Sequence, residues 1–176
     1  MNISFELIIP PIILGILITM ITGANVVMMD STVENQSTYH LQTNANNTVL
    51  LISEEVRYLH RVETANGSSF EFVEKVTEAS DSVDVKIFKD NEYLKVIRTP
   101  RGGSADTTAY FLRLDSLTFQ ETTHGTTSAP FLKVSVLTTS SNDEQINKNR
   151  SYKASAERSI YLKNLHASDI FYSTGS

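Results

Sequence analysis

Cysteine is absent from the 176 residues, which removes disulfides, zinc–thiolate centres and cysteine nucleophiles together. No lysine or arginine occurs before Arg57, whereas Glu6, Asp30, Glu34, Glu54 and Glu55 are acidic. The net charge is −5 and no basic cluster interrupts it, so nucleic acid is a poor partner. Catalytic signatures are missing as well: there is no GxSxG, no Ser/His/Asp grouping and no phosphate-binding loop. The histidines, His40, His60, His124 and His166, are scattered without metal-ligand spacing, and read as surface or half-buried groups. Glu54 and Glu55 are adjacent, so on a helix they diverge and cannot converge on a substrate. Asn142-Asp143-Glu144, with Asp106 and Asp115, offers oxygens for calcium but no EF-hand pattern, and reads as a solvated loop. The Asn-x-Ser/Thr matches at Asn35, Asn46, Asn66 and Asn149 arise readily in a Ser/Thr-rich chain. No catalytic residue, metal ligand or cofactor is expected.

What the chain has is a long apolar run. Leu7 to Met29 (LIIPPIILGILITMITGANVVMM) spans twenty-three residues without a formal charge. As a helix it extends roughly 34 Å, enough for a hydrocarbon core of about 30 Å. A cleaved secretory signal is the rival reading, with Thr22 and Ala24 as small residues before a cut. It lacks a basic n-region, places Glu6 where lysine belongs, and runs longer than a usual h-region. The run is therefore expected to be retained as an anchor. Neither flank carries a basic side chain, so orientation rests on the short polar start staying inside while the larger part lies outside. Pro10 and Pro11 either bend the helix or occupy its tolerated first turn if it begins near Ile8. Gly15 and Gly23 are thin spots where another helix can approach closely.

Asp30 to Thr48 is rich in Ser, Thr and Asn, with poor intrinsic helix propensity. Val49, Ile52, Val56 and Leu59 then recur at three- and four-residue spacing, a helical stripe. One helix is expected to run to about Glu63, weak in its middle, with Asn66-Gly67 ending it. Beyond Ser69 the apolar period changes to two. Strands are expected at 70–76, around Val83, Val85 and Ile87, and around Tyr93 to Ile97, with a tight turn at Lys89–Glu92. Pro100–Gly103 breaks the pattern; further strands are expected at 110–121, 131–137 and 158–165. The stripe has to be buried, and the simplest cover is an antiparallel sheet laid across the C-terminal half of the helix, an α+β architecture. The division is 1–29 as membrane helix, 30–65 as amphipathic continuation and 66–176 as an antiparallel β-sheet domain.

With this order the chain resembles the type IV pilins and type II secretion pseudopilins, the minor pseudopilins most of all. The resemblance rests on SFELIIPPIILGILI, with an acid at the lip of the apolar helix, and on the amphipathic NNTVLLISEEVRYLHRV. It rests equally on the hairpin VDVKIFKDNEYLKVIRTP, then FLRLDSLTFQET and FLKVSVLTTS, and on RSIYLKNL as a closing strand ending in Lys163-Asn164. The leader departs from the family: Ser4 precedes Phe5 where the family has glycine. With Met1 removed, Glu6 takes the fifth place, the family's usual one. The resemblance implies a structural subunit of a filament or pseudopilus. Glu6 would pair with the N-terminal amine of a neighbouring subunit and set axial register. Its partners would be other pilin-like subunits and, before assembly, membrane lipid. It would sit as a single-pass protein in the inner (cytoplasmic) membrane, N-terminus cytoplasmic and sheet domain outside, or in an extracellular filament. The alternative is a signal-anchored extracytoplasmic binding module with no filament.

Overall fold

A computed structural model describes residues 3–75, 81–124, 129–140, 151–163 and 165. The chain opens with one α-helix, α1 (Ile3–Glu55), 53 residues long, about 80 Å at 1.5 Å per residue. The Ser/Thr/Asn-rich middle is helical without a break. Its hydroxyls are accommodated by back-bonding. Thr43 Oγ1 donates to the Tyr39 carbonyl at 2.9 Å and Thr48 Oγ1 to the Asn44 carbonyl at 2.7 Å, so neither competes for a non-helical backbone. Pro10 and Pro11 lie inside the helix, which begins at Ile3 rather than near Ile8. Their missing N–H groups deprive the carbonyls of Glu6 and Leu7 of helical donors.

The helix is shorter at its far end than the stripe suggested. It stops at Glu55, and a single 3-10 turn (Val56–Tyr58) passes into β1 (Leu59–Asn66). Leu59 therefore starts a strand, and the segment expected as helix to Glu63 is half of a hairpin. The three-residue spacing from Val56 to Leu59 fits both structures. Pairing with β2 (Ser69–Glu74) decides it, six ladder pairs replacing one more turn and a half of helix. Asn66-Gly67 is then a hairpin signal and not a helix stop. Asn66 pairs with Ser69 across a two-residue loop whose first member, Gly67, sits at φ +31°, where a side chain is strained.

The strands form two antiparallel sheets, where one was expected. Sheet A is a meander of β1, β2, β3 (Val83–Asp90), β4 (Tyr93–Pro100) and β5 (Asp106–Phe111). Sheet B is a second meander of β6 (Leu114–His124), β7 (Ala129–Thr139) and β8 (Lys153–Tyr161). The Asn91-Glu92 turn between β3 and β4 is where expected, with Asn91 at φ +53°. The stretch 110–121, expected as one strand, is cut at Leu112-Arg113. Arg113, at φ +54°, turns the chain from one sheet into the other. The closing strand begins at Lys153 rather than Arg158 and ends at Tyr161.

Alternation is clearest in sheet B. Along β7, Leu132, Val134, Val136 and Thr138 are buried and the residues between them are half-buried. The C-terminal third of α1 lies on β7 and β8, and sheet A meets sheet B along β6. Phe70 of β2 stacks on Phe119 of β6 with centroids 5.6 Å apart, and the Phe119 N–H donates to the Gly67 carbonyl at 2.9 Å. One apolar cluster joins helix and both sheets: Ala45, Val49 and Ile52 from α1, Val56 from the 3-10 turn, Phe70, Ile87 and Leu94 from sheet A, Leu117, Leu132 and Val134 from sheet B.

Candidate functional site

Helix α1 has two regimes. From Leu41 onward one face is buried: Leu41, Ala45, Thr48, Val49 and Ile52, continued by Val56 in the 3-10 turn, the period of a helix against a layer. All four expected packing residues, Val49, Ile52, Val56 and Leu59, are buried in the common cluster, Leu59 through β1. Leu41, Ala45 and Thr48 extend the stripe toward the N-terminus and were missed. They sit singly among Asn, Thr and Gln, where no apolar period shows; the three-four spacing back from Val49 was the only signal. Thr138 fastens this region. Its buried hydroxyl lies 3.0 Å from the Leu41 carbonyl and 3.2 Å from the Ala154 carbonyl, placing helix and β8 around one donor. Gln42 Nε2 adds a bond to the Ser155 carbonyl at 3.1 Å.

Before Leu41 most of the described helix surface is open. Every residue from Ile9 to His40 is exposed except the half-buried Val33 and Ser37. Ile16 is 56% exposed and Met28 68%. This stretch is long and apolar enough to cross a membrane, and none of its most apolar window is buried. Thr19 and Thr22 do not spoil that surface, because their hydroxyls donate to the Gly15 and Ile18 carbonyls at 2.8 Å. Ile9, Ile12, Ile13, Leu14, Ile16, Leu17, Ile18, Ile21, Val26 and Val27 are all about half-exposed or more. At ~1 kcal/mol each for the remaining area, covering them is worth on the order of 10 kcal/mol. An apolar surface of this extent marks a membrane or partner contact. Glu6 lies on the backbone of α1; its side chain is outside the described residues.

Charge is divided in the same way. Residues 1–56 carry five acids and no Lys or Arg; residues 57–176 carry the remaining fifteen acids and all fifteen basic residues, so the net −5 resides on the helix and the rest is neutral. At the junction Glu54 and Glu55 diverge, as adjacent positions must. Glu54 faces Arg57 at 3.5 Å, an exposed pair. Glu55 is held by Arg98 of β4, whose Nε also lies 3.6 Å from Glu74 of β2. The guanidinium thus ties the carboxylate end of the helix, where the macrodipole disfavours acids, to the middle of sheet A. In sheet B, Lys133 donates to Glu157 at 2.9 Å and Ser135 to the same carboxylate at 3.1 Å. These bonds, the lysine's first, hold the Glu157 carboxyl below the usual carboxylate range.

The outer face of sheet A bears a shallow groove of about 850 Å³. Arg61, Glu63, Glu71, Asp84, Lys86 and Arg101 are among its lining, and several neutralise one another: Lys86 Nζ lies 2.6 Å from Glu71, and Arg61 pairs with Glu63. The acids considered for calcium are not gathered. Asp115 is bound to Lys153 at 2.9 Å, Asp106 begins β5, and 142–144 and His166 fall outside the described residues. Among the described residues no cluster of three His, Cys, Asp or Glu can hold a metal ion. His40 lies on the exposed helix and His60 on β1.

No protein-family model, curated protein or solved structure matches this chain.

Proposed function

We propose that this protein is a structural subunit of the type IV pilin or pseudopilin kind, anchored by α1 in a membrane and assembled by packing α1 against the α1 of sister subunits. The observation that carries the reading is one helix with two fates. From Leu41 it is sealed under sheet B, and from Ile9 to Met29 its apolar surface is bare on every side. The bare surface leaves water either into lipid or against other helices, and exchanging one for the other costs little, as assembly from a membrane pool requires.

The polar part of the stalk supports this. At about 100° per residue, Asp30 and Glu34 fall on the side of α1 that carries Leu41 and Ala45. The opposite side, through Thr32, Gln36, Tyr39, Thr43 and Leu50, bears no charge until Glu54. A second helix can lie along it without a buried carboxylate. Glu6 is the residue we assign to register, pairing with a neighbour's N-terminal amine. The N-terminus would face the cytoplasm and both sheets the outside.

Deleting Leu7 to Thr22 tests the proposal. The truncated chain should be a soluble monomer; fibres or a membrane-bound complex persisting without that segment would refute it. The groove on sheet A favours a second reading, a membrane-anchored binding module without a filament. Solubilised full-length protein that stays monomeric at all concentrations selects that reading.

A further inference from the structure

The edges of the two sheets are treated unequally. The β6 edge is covered, with the Phe119 and Leu114 N–H groups bonded to the Gly67 and Glu92 carbonyls. Along β8 the Ser155 carbonyl is taken by Gln42 of the helix. The β1 edge is blunted by two irregularities, at Leu59/Arg61 and Val62/Thr64, and by the charges of Arg61 and Glu63. These are the usual protections of a sheet edge. Strand β5, Asp106-Thr-Thr-Ala-Tyr-Phe, has a single charge at its start and none of the others. It pairs with β4 in unbroken register, contains no Lys, Pro or bulge, and no hydrogen bond joins its outer side to any described residue. The Leu112 N–H donates to the Glu92 carbonyl, which sets the ladder phase: Thr107, Ala109 and Phe111 turn their N–H and C=O groups away from β4. Beside them an exposed aromatic pair stands on the outer face, Phe111 (52% exposed) with Tyr93 (41%), centroids 5.2 Å apart.

We infer that β5 is a pairing edge for β5 of a second copy of this chain, joined antiparallel about a two-fold axis through Ala109. The strand's own sequence selects this occupant. In that register the small Ala109 meets itself at the axis, and Thr107 faces Phe111 of the second copy on both sides. Such aromatic–β-branched pairs are favourable across antiparallel strands. The acidic start of each strand, Asp106, comes toward Arg113, two residues past the end of the other; a parallel alignment would set like charges together. The contact is separate from the helix contact of the preceding proposal and stands or falls independently of it.

The cysteine-free background makes the test direct. In Ala109→Cys the two thiols of a pair lie on strands with Cα atoms about 5.5 Å apart, inside the range that a disulfide spans. Full-length Ala109→Cys in detergent, under mild oxidant, should form disulfide-linked dimers at least ten-fold faster than Glu63→Cys on the β1 edge. Adding Thr107→Lys to Ala109→Cys should slow the linkage ten-fold without moving the melting temperature. Association through the helices alone leaves the two single cysteines equally reactive, and equal rates overturn the inference. So does linkage that Thr107→Lys fails to slow, and so does a purified Ala109→Cys chain that stays monomeric, which leaves the edge to a strand from another protein.

Discussion

Ile52 offers the sharpest measure of how α1 is joined to the sheets. It is fully buried between helix and sheets, and Ile52→Ala removes three carbons there. At ~0.8 kcal/mol per methylene the transfer loss is about 2.4 kcal/mol. The unfilled space raises the total to about 3–4 kcal/mol, within the span of such truncations. For a domain of this size that lowers Tm by roughly 10 °C. Leu50, two residues away but half-exposed on the other side of the helix, should cost below about 1 kcal/mol as Leu50→Ala. The chain has no tryptophan, so unfolding of the full-length protein in detergent is best followed by tyrosine near-UV circular dichroism; far-UV helix signal survives in micelles. If Ile52→Ala is no more destabilising than Leu50→Ala, the helix does not seat on sheet B as described.

Further outcomes follow from particular contacts. Thr138→Val should cost about 1 kcal/mol in urea unfolding, since one donor shared by the Leu41 and Ala154 carbonyls is lost while shape is kept. Arg98→Met leaves Glu55 and Glu74 adjacent and without their shared cation. Discounted for an arginine that is one-third exposed, the loss is about 1–2 kcal/mol, and Glu55→Gln in the same chain should recover part of it. The Glu157 carboxyl, lowered by Lys133 and Ser135, contributes its stabilisation at neutral pH and loses it as pH falls below the ordinary carboxylate range through its depressed value. Lys133→Gln should raise that carboxyl's titration midpoint in a carbon-13 NMR titration; an unmoved midpoint excludes the lysine as its cause.

The coarse architecture was legible because its signals are long. Twenty-three uncharged residues, and a period that changes from three-four to two, survive any local exception. Boundaries were not, and the reasons are specific. Val56 and Leu59 satisfy helical spacing while Leu59, Arg61 and Val62 satisfy strand pairing; only β2, fifteen residues on, chooses between them. Asn66-Gly67 punctuates either a helix end or a hairpin, and the flanking strands settle which. The division into two sheets depends on Arg113 adopting a positive φ, a conformation that an arginine does not advertise. Leu41 and Ala45 are core residues in a polar stretch, marked in the sequence only by their four-residue spacing back from Val49. Glu6 carries the register assignment on resemblance alone, whereas the packing stripe could be placed residue by residue.

The separation of a negative helix from a neutral head bears on the solution conditions that favour cohesion. Copies brought side by side stack the stalk acids Asp30 and Glu34 of each subunit into one column, while Glu54 and Glu55 are answered by Arg57 and Arg98 of the head. Ions shrink the reach of that repulsion to about 10 Å at 0.1 M. Fibres of this chain should therefore hold together better in brine than in dilute buffer, the reverse of complexes cemented by opposite charges.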